Sequence, residues 1–477
     1  MAPIKYCLTK SLMPDKATQL QLENTAQEQA VFKQVAVMPD VHSKLGRKCP
    51  TGTVVATKNT LLPQVMDTAP NCGMRLLATP WNEDNFSEES INELFLELIH
   101  QVPTRTYWGD WIDYKTALKI CRFGATALLD FLGKDRAEAE NIYAGGNFFP
   151  QPPSEKEILN AIPKIFLRAA QFRLGILGEA GNHFLDLMRV EPINQEKANV
   201  LGLKEGQYIF LMHTGSGVFG QYSSYFFTPK KEEHLSMKII TNLGRLTFNS
   251  DLLSRKDILQ LQKEVKEYRE KTEFFKIDPN SKRGQAYLIA NRASANYGFA
   301  NRIMITKNIE EAIQKTFKKK TDLKLISDIP HVLLAKERHY ETDVWVHRNG
   351  ASRGFGPSRM KNHPLFSKTG ELGVLAGSMS TPSYLVGGID QNDATFYSIN
   401  HGAGKSKQQD KNAPQTKEEL LKNVRSKKIR LYNAKSKGVV QQADQYYKDI
   451  NDILNSVQEF KIADPIAKLT PVAVLMA

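Results

Sequence analysis

The 477-residue chain holds only four cysteines, Cys7, Cys49, Cys72 and Cys121, and no two of them form a CxxC pair. That scarcity excludes a zinc ribbon or a disulfide framework as the device that organises the fold, and a reducing compartment suits it. Long apolar runs are missing as well. No stretch approaches the roughly 18 consecutive apolar residues of a spanning helix, and Met1 to Lys10 carries no apolar signal core. A cytoplasmic protein is expected. There is no internal repeat, which sets aside solenoids and propellers.

What is present is the balance of a globular chain, with 41% hydrophobic and 24% charged residues. The length permits one large domain or two to three ordinary ones with a sizeable core. Acidic residues are in deficit, 51 against 64 Lys and Arg, for a formal +13. That excess favours an anionic partner such as nucleic acid, although runs such as Lys318, Lys319, Lys320 also read as a solvated helix end.

Short apolar runs punctuated by Gly, Pro and Asn predict strands between Val31 and Thr79. Apolar residues at helical spacing predict helices over 87–102, 114–132 and 155–172, the last split by Pro163. Strands resume near Leu185 and include 208–212. Helices follow over 256–274 and 285–316, the second lined by small residues such as Ala290, Ala293 and Ala300. Short strands and Gly-rich turns then run to Gly404, and the lysine-rich segment 406–428 reads as a surface loop. Helical clusters between blocks of strands, without regular alternation, indicate an α+β fold rather than a doubly wound sheet.

Four clusters place a His or Cys inside a short Gly-containing turn beside an apolar run, where a scaffold holds a side chain yet leaves it accessible. They are Asn71–Cys72–Gly73, Gly181–Asn182–His183–Phe184, His213–Thr214–Gly215–Ser216 and Asn400–His401–Gly402–Ala403–Gly404, with His331 after Asp328–Ile329–Pro330. Thiolate and imidazole together suit zinc, manganese or another first-row cation. A structural turn histidine or a small buried cysteine is the competing reading of each. The turn Gly402–Ala403–Gly404–Lys405 offers backbone N–H groups to a phosphate, Val346 to Arg353 gathers cations beside small residues, and Gly377 to Thr381 offers hydroxyls in a tight loop.

In this order these segments resemble the RtcB family of RNA ligases, from about Val37 to the C-terminus. Met38–Pro39–Asp40–Val41–His42 resembles the family's opening signature, Asn71 to Arg75 its metal-binding turn, and the turns at His183 and His213 its histidine turns. Ala300–Asn301–Arg302, Val346–His347–Arg348, Gly377–Ser378–Met379 and His401 to Gly404 agree equally. The resemblance implies one large α+β RtcB-like domain over 1–477. It implies a manganese- and GTP-dependent ligase, in RNA repair or tRNA splicing, that joins 3′-phosphate or 2′,3′-cyclic phosphate ends to 5′-hydroxyl ends. His401 is then the nucleophile that carries the guanylate. Cys72, His183, His213 and His331 hold one or two manganese ions. Asn182, Asp186, Ser378, Gly402, Ala403, Gly404, Lys405 and Tyr447 form the nucleotide site. The implied partners are broken-ended RNA, such as tRNA or rRNA fragments, and an archease-like activator or a translation or repair partner.

The chain departs from the family pattern at several of these points. An Asp expected three residues before the metal-binding Cys is Ala69, with Asp67 two residues earlier and Pro70 between Ala69 and Asn71. Asp186 stands for a Glu, Val332 for an Asn, Gly217 and Lys405 for Arg, and Met476 for a Lys expected in the guanine pocket, whereas Tyr447 matches. These changes leave two readings: a divergent ligase, or a catalytically altered or inactive RNA-binding relative.

Overall fold

The structure, a computed structural model, describes all residues except 45, 105–107, 179–181, 230–234, 270, 407–412 and 435–437. Gly181 of the second histidine turn and part of the 406–428 segment therefore lie outside the described residues. The fold is α+β, with two main sheets and helices packed on them. Among the described residues no helix is long and apolar enough to cross a membrane.

The larger sheet places Gly73–Asn82 between Gln207–Thr214 and Lys324–Pro330, with Phe184–Pro192 and Ala463–Met476 following on the Gln207–Thr214 side. These neighbours are antiparallel, and the register sets Gly73 opposite both Thr214 and Pro330, and Phe184 opposite His213. Alternating directions therefore bring two strand starts and two strand ends to one edge. Cys72 and His183 immediately precede their strands, His213 lies next to the end of its own, and His331 follows Pro330. The spacing that scatters these four residues along the chain is undone by antiparallel pairing.

The second sheet has five strands in the order Ile4–Tyr6, Val31–His42, Thr51–Thr57, Thr342–Asn349, Val332–His339. Its strand Val31–His42 carries Asp40 to the site. A two-stranded ribbon, Ala351–Arg353 with Ser398–Asn400, brings His401 beside it.

The helix Lys282–Phe317 spans 36 residues and is buried along most of its length. Small side chains let it press against the metal-binding turn: a Cβ on Gly298 would sit 2.8 Å from the Asn71 carbonyl. Its central residues, among them Ala293, Tyr297 and Ile303, lie in the largest apolar cluster, where burial drives packing.

Several local expectations change. The helix expected over 114–132 is two, Tyr114–Phe123 and Ala125–Phe131, broken at Gly124, whose φ of 62° ends the first turn sequence. The one expected over 256–274 is Arg255–Tyr268. The segment read as a surface loop contains the helix Lys417–Ser426, started by a capping box of Thr416 and Glu419 and packed through Leu420 and Val424. Pro163 does separate Glu155–Leu159 from Lys164–Ala170.

Candidate active site

All four candidate ligands meet. The Cys72 Sγ lies 3.3 Å from the His213 Nε2 and 3.5 Å from the His183 Nε2, and the His213 and His331 Nε2 atoms are 3.2 Å apart. Among the described residues, the ligand atoms of Cys72, His183 and His213 lie within 4.8 Å of one another, and His331 joins through its contact with His213. Two rings are fixed from behind. The His183 Nδ1 donates to the Leu177 carbonyl at 2.9 Å and the His213 Nδ1 to the Asn182 carbonyl at 2.9 Å. Each Nδ1 therefore holds the proton and each Nε2 keeps its lone pair, the orientation a metal-binding imidazole needs.

Burial drives the imidazoles toward neutrality. His183 is lowered to about 4, and His213 and His331 fall well below their ordinary value, burial leading in each case and the Arg302 guanidinium adding to it. Burial also pushes the Cys72 thiol up to about 12, against the pull of Arg302 and Lys44. A soft thiol and three neutral imidazoles fit a first-row divalent cation, whose charge draws the thiol proton away on binding.

One buried residue joins these turns. The Arg302 guanidinium donates to the Asn71 carbonyl at 3.0 Å, the Asn71 side chain at 2.7 Å, the Thr214 carbonyl at 2.8 Å and Asp328 at 2.6 Å. It thus holds the chain next to Cys72, next to His213 and three residues before His331. Asp328 also accepts from Arg75.

His401 approaches from the opposite wall. Its Nδ1 lies 2.7 Å from Asp40 Oδ2 and 2.9 Å from the Gly350 carbonyl. With Nδ1 donating to both, the free lone pair is on Nε2. The ring centroid is 4.8 Å from that of His331, which sets the candidate nucleophile directly against the ligand cluster. The approach depends on glycine: a Cβ on Gly350, at φ 70°, would come 3.0 Å from the His401 ring.

The other expected residues line the same cavity, which measures about 440 Å³. Asn182, Asp186, Ser378, Gly402, Ala403, Gly404, Lys405 and Tyr447 all border it, together with Met476. The loop at Ser378 is stitched to the nucleophile turn, the Ala376 N–H donating to the His401 carbonyl and the Ala403 N–H to the Ala376 carbonyl. Asp186 is buried with its Oδ1 unpaired among the described residues, and burial pushes its carboxyl well above the ordinary range. A neutral carboxyl there can donate as well as accept. The Lys405 ammonium rests 3.8 Å from the Tyr447 ring centroid, and burial lowers it to about 7.

A match to the family model of the tRNA-splicing ligase RtcB covers residues 21–477. This chain belongs to the RtcB family. Similar RtcB proteins include the tRNA-splicing ligase RtcB of Thermococcus kodakarensis, 27% identical over 97% of this chain and 91% of its own. That of Nanoarchaeum equitans is 27% identical over 97% and 92%. RNA-splicing ligase RtcB homolog 1 of Entamoeba dispar is 28% identical over 92% and 78%.

Two features of this RtcB-family site escape a reading of sequence. Asp40 stands in the opening signature, but its partner His401 is 361 residues away. Lys44 and Arg47 clamp Asp67, at 2.8 Å and 3.0 Å. Burial alone would raise the Asp67 carboxyl, yet these two cations hold it well below the ordinary range. A short Lys-x-x-Arg interval ahead of an Asp was the available signal, and it is too common to be read without the fold.

Proposed function

We propose that the chain is a GTP-dependent RNA ligase joining RNA 3′-phosphate ends to 5′-hydroxyl ends, in RNA repair or tRNA splicing. The observation that carries the reading is His401, its Nδ1 committed to Asp40 and Gly350 and its ring against His331 of the Cys/His cluster. The Nε2 attacks the α-phosphorus of GTP, forming an N–P bond as the bond to pyrophosphate breaks. Asp40 stabilises the proton and positive charge left on the ring. An oxygen of the RNA 3′-phosphate then attacks the same phosphorus, breaking the N–P bond and capping the RNA end with guanylate. The 5′-hydroxyl attacks the RNA phosphorus next, forming the phosphodiester and releasing GMP. A 2′,3′-cyclic phosphate enters this sequence once water has opened it to a 3′-phosphate.

Cys72, His183, His213 and His331 are the residues that would hold manganese, which supplies charge neutralisation at the reacting phosphates. The backbone N–H groups of Gly402 and Gly404 and the Lys405 ammonium meet the nucleotide phosphates, while the Ala403 N–H is held by the Ala376 carbonyl. Asn182, Asp186, Ser378 and Tyr447 border the space left for the nucleoside, and the Asp186 carboxyl, raised by burial, supplies a hydrogen bond there.

Incubation with α-labelled GTP and manganese tests the reading. An acid-labile label on the wild-type chain, lost in His401→Ala with the fold intact, is the expected result. Undiminished labelling of His401→Ala removes the assignment.

A further inference from the structure

A second groove, about 670 Å³, opens beside the His401 cavity and shares Lys44, Arg47 and Thr68 with it. Its described lining includes five cations, Lys44, Arg47, Lys48, Arg269 and Lys271, and no Asp or Glu. The Asp67 carboxylate is set against Lys44 and Arg47, and the described lining keeps an excess of cations. The asymmetry is specific to this side. The groove that leaves the cavity past His42, Lys405 and Tyr447 is bordered by four carboxylates, Asp15, Asp444, Asp449 and Asp452, against two lysines.

The cations come from two separate segments of the chain. Lys44, Arg47 and Lys48 follow the strand Val31–His42, whereas Arg269 and Lys271 follow the helix Arg255–Tyr268. Lys48 is tied to the Glu273 carbonyl, and Lys271 lies 4.4 Å from the Tyr268 ring centroid. A groove that draws its cations from two separate segments of the chain suits a string of phosphates. The linkage through Lys44 and Arg47 gives that chain an end, at the Cys/His cluster.

We propose that this groove is the track of one single-stranded RNA, its phosphodiesters running past Lys271, Arg269 and Lys48 and its terminal phosphate delivered by Arg47 and Lys44 into the His401 cavity. The proposal rests on the ligase reading for the identity of the strand, and on the charge distribution for its path. It gives the two RNA ends different entrances. The acidic groove, even with Asp444 paired to Lys427, favours a second backbone less, so one end is held by the protein along its length and the other is met at its terminus.

The test uses fluorescence anisotropy with the full chain and a labelled single-stranded RNA ending in 3′-phosphate, titrated across salt concentrations. The variants are Arg269→Ala/Lys271→Ala and Lys271→Glu, with Lys361→Glu, an exposed site elsewhere, as the matched charge reversal. The double variant should bind more weakly and lower the slope of log K against log salt by about 1.4, at roughly 0.7 per lost phosphate contact on a single strand. Lys361→Glu should not. Labelling of His401 by GTP, measured separately, should persist in the groove variants, because Arg269 and Lys271 do not line its cavity. Unchanged affinity and slope overturn the track, as does equal dependence of duplex DNA or polyglutamate binding on the same residues. If RNA binding depends on the groove while His401 takes no label, the track stands and the ligase chemistry falls.

Discussion

The Arg302 guanidinium and the Asp328 carboxylate meet at 2.6 Å with both side chains fully buried. This pair has no access to the cavity, yet it governs the cavity's shape, because the remaining donors of Arg302 hold the Asn71 and Thr214 carbonyls. One planar fork spans three chain segments, a task that a lysine ammonium does not duplicate.

Arg302→Ala should therefore destabilise the chain by roughly 3–5 kcal/mol, the usual cost of stranding part of a buried ion network. Arg302→Lys should retain the fold but lose metal affinity, because the Cys72 and His213 turns are no longer held together. Thermal denaturation and manganese titration separate the two effects. Full metal affinity in Arg302→Lys would refute the bridging role.

Asp40 sets the tautomer of His401. In Asp40→Asn the amide can present a donor to Nδ1, which favours the tautomer with its proton on Nε2 and removes the nucleophilic lone pair. GTP labelling should fall by up to about 10⁴-fold, the penalty for a mis-set histidine tautomer in a Ser–His–Asp triad, while metal content stays constant. Labelling rate and metal analysis on the same preparation check this, and a loss confined to metal content would contradict it.

Much of this site was legible in the sequence because its parts are local. Each His or Cys turn announces itself within four or five residues, and the order of the turns supports the family resemblance. Convergence was not legible, since it depends on the sheet register that aligns Gly73 with Thr214 and Pro330. The helices Gly217–Phe227 and Leu235–Thr247 and the strand Ala463–Met476 were also not anticipated. The first of them is apolar almost all round, and seven of its 11 residues are buried, so it shows no amphipathic period to detect.

Nucleotide selectivity should be weak. Met476 brings a thioether to the cavity where the family pattern expects a lysine, and burial, by raising the Asp186 carboxyl, favours its protonated form, which can donate as well as accept. Met476→Lys should raise the preference for GTP over ATP by about ten- to a hundredfold, the worth of a charged hydrogen bond in a buried site. Competition labelling decides it, and strict GTP selectivity in the wild type would count against it.

Nucleotide affinity should decline as pH rises through about 7. Burial lowers Lys405 to about that value, so the ammonium that meets phosphate is charged below it and increasingly neutral above. Phosphate binding favours the protonated form, and the dissociation constant should increase between pH 6.5 and 8.5, a window chosen around about 7. An arginine stays charged throughout, so Lys405→Arg should flatten the profile. Equal pH dependence in both proteins assigns the effect to another group.

The number of metal ions follows from where Asp67 points. Cys72 as thiolate with three neutral imidazoles supplies one negative charge, too little to hold two divalent ions close together without help. Ala69 contributes no ligand, and Asp67, the nearest replacement, is occupied by Lys44 at 2.8 Å and Arg47 at 3.0 Å. Releasing it toward a metal would strip two cations of their partner beside a site already positive. One tightly bound manganese per chain is therefore expected without nucleotide, with a second entering only when triphosphate oxygens add anionic ligands. Ala69→Asp should create a second tight site in the nucleotide-free protein. Asp67→Ala should leave the first site's affinity essentially unchanged, because the carboxylate is not a ligand. Calorimetric titration with and without GTP on the three proteins reads each outcome directly, and two equally tight ions in the free wild type, or loss of the first in Asp67→Ala, would show that the clamp opens.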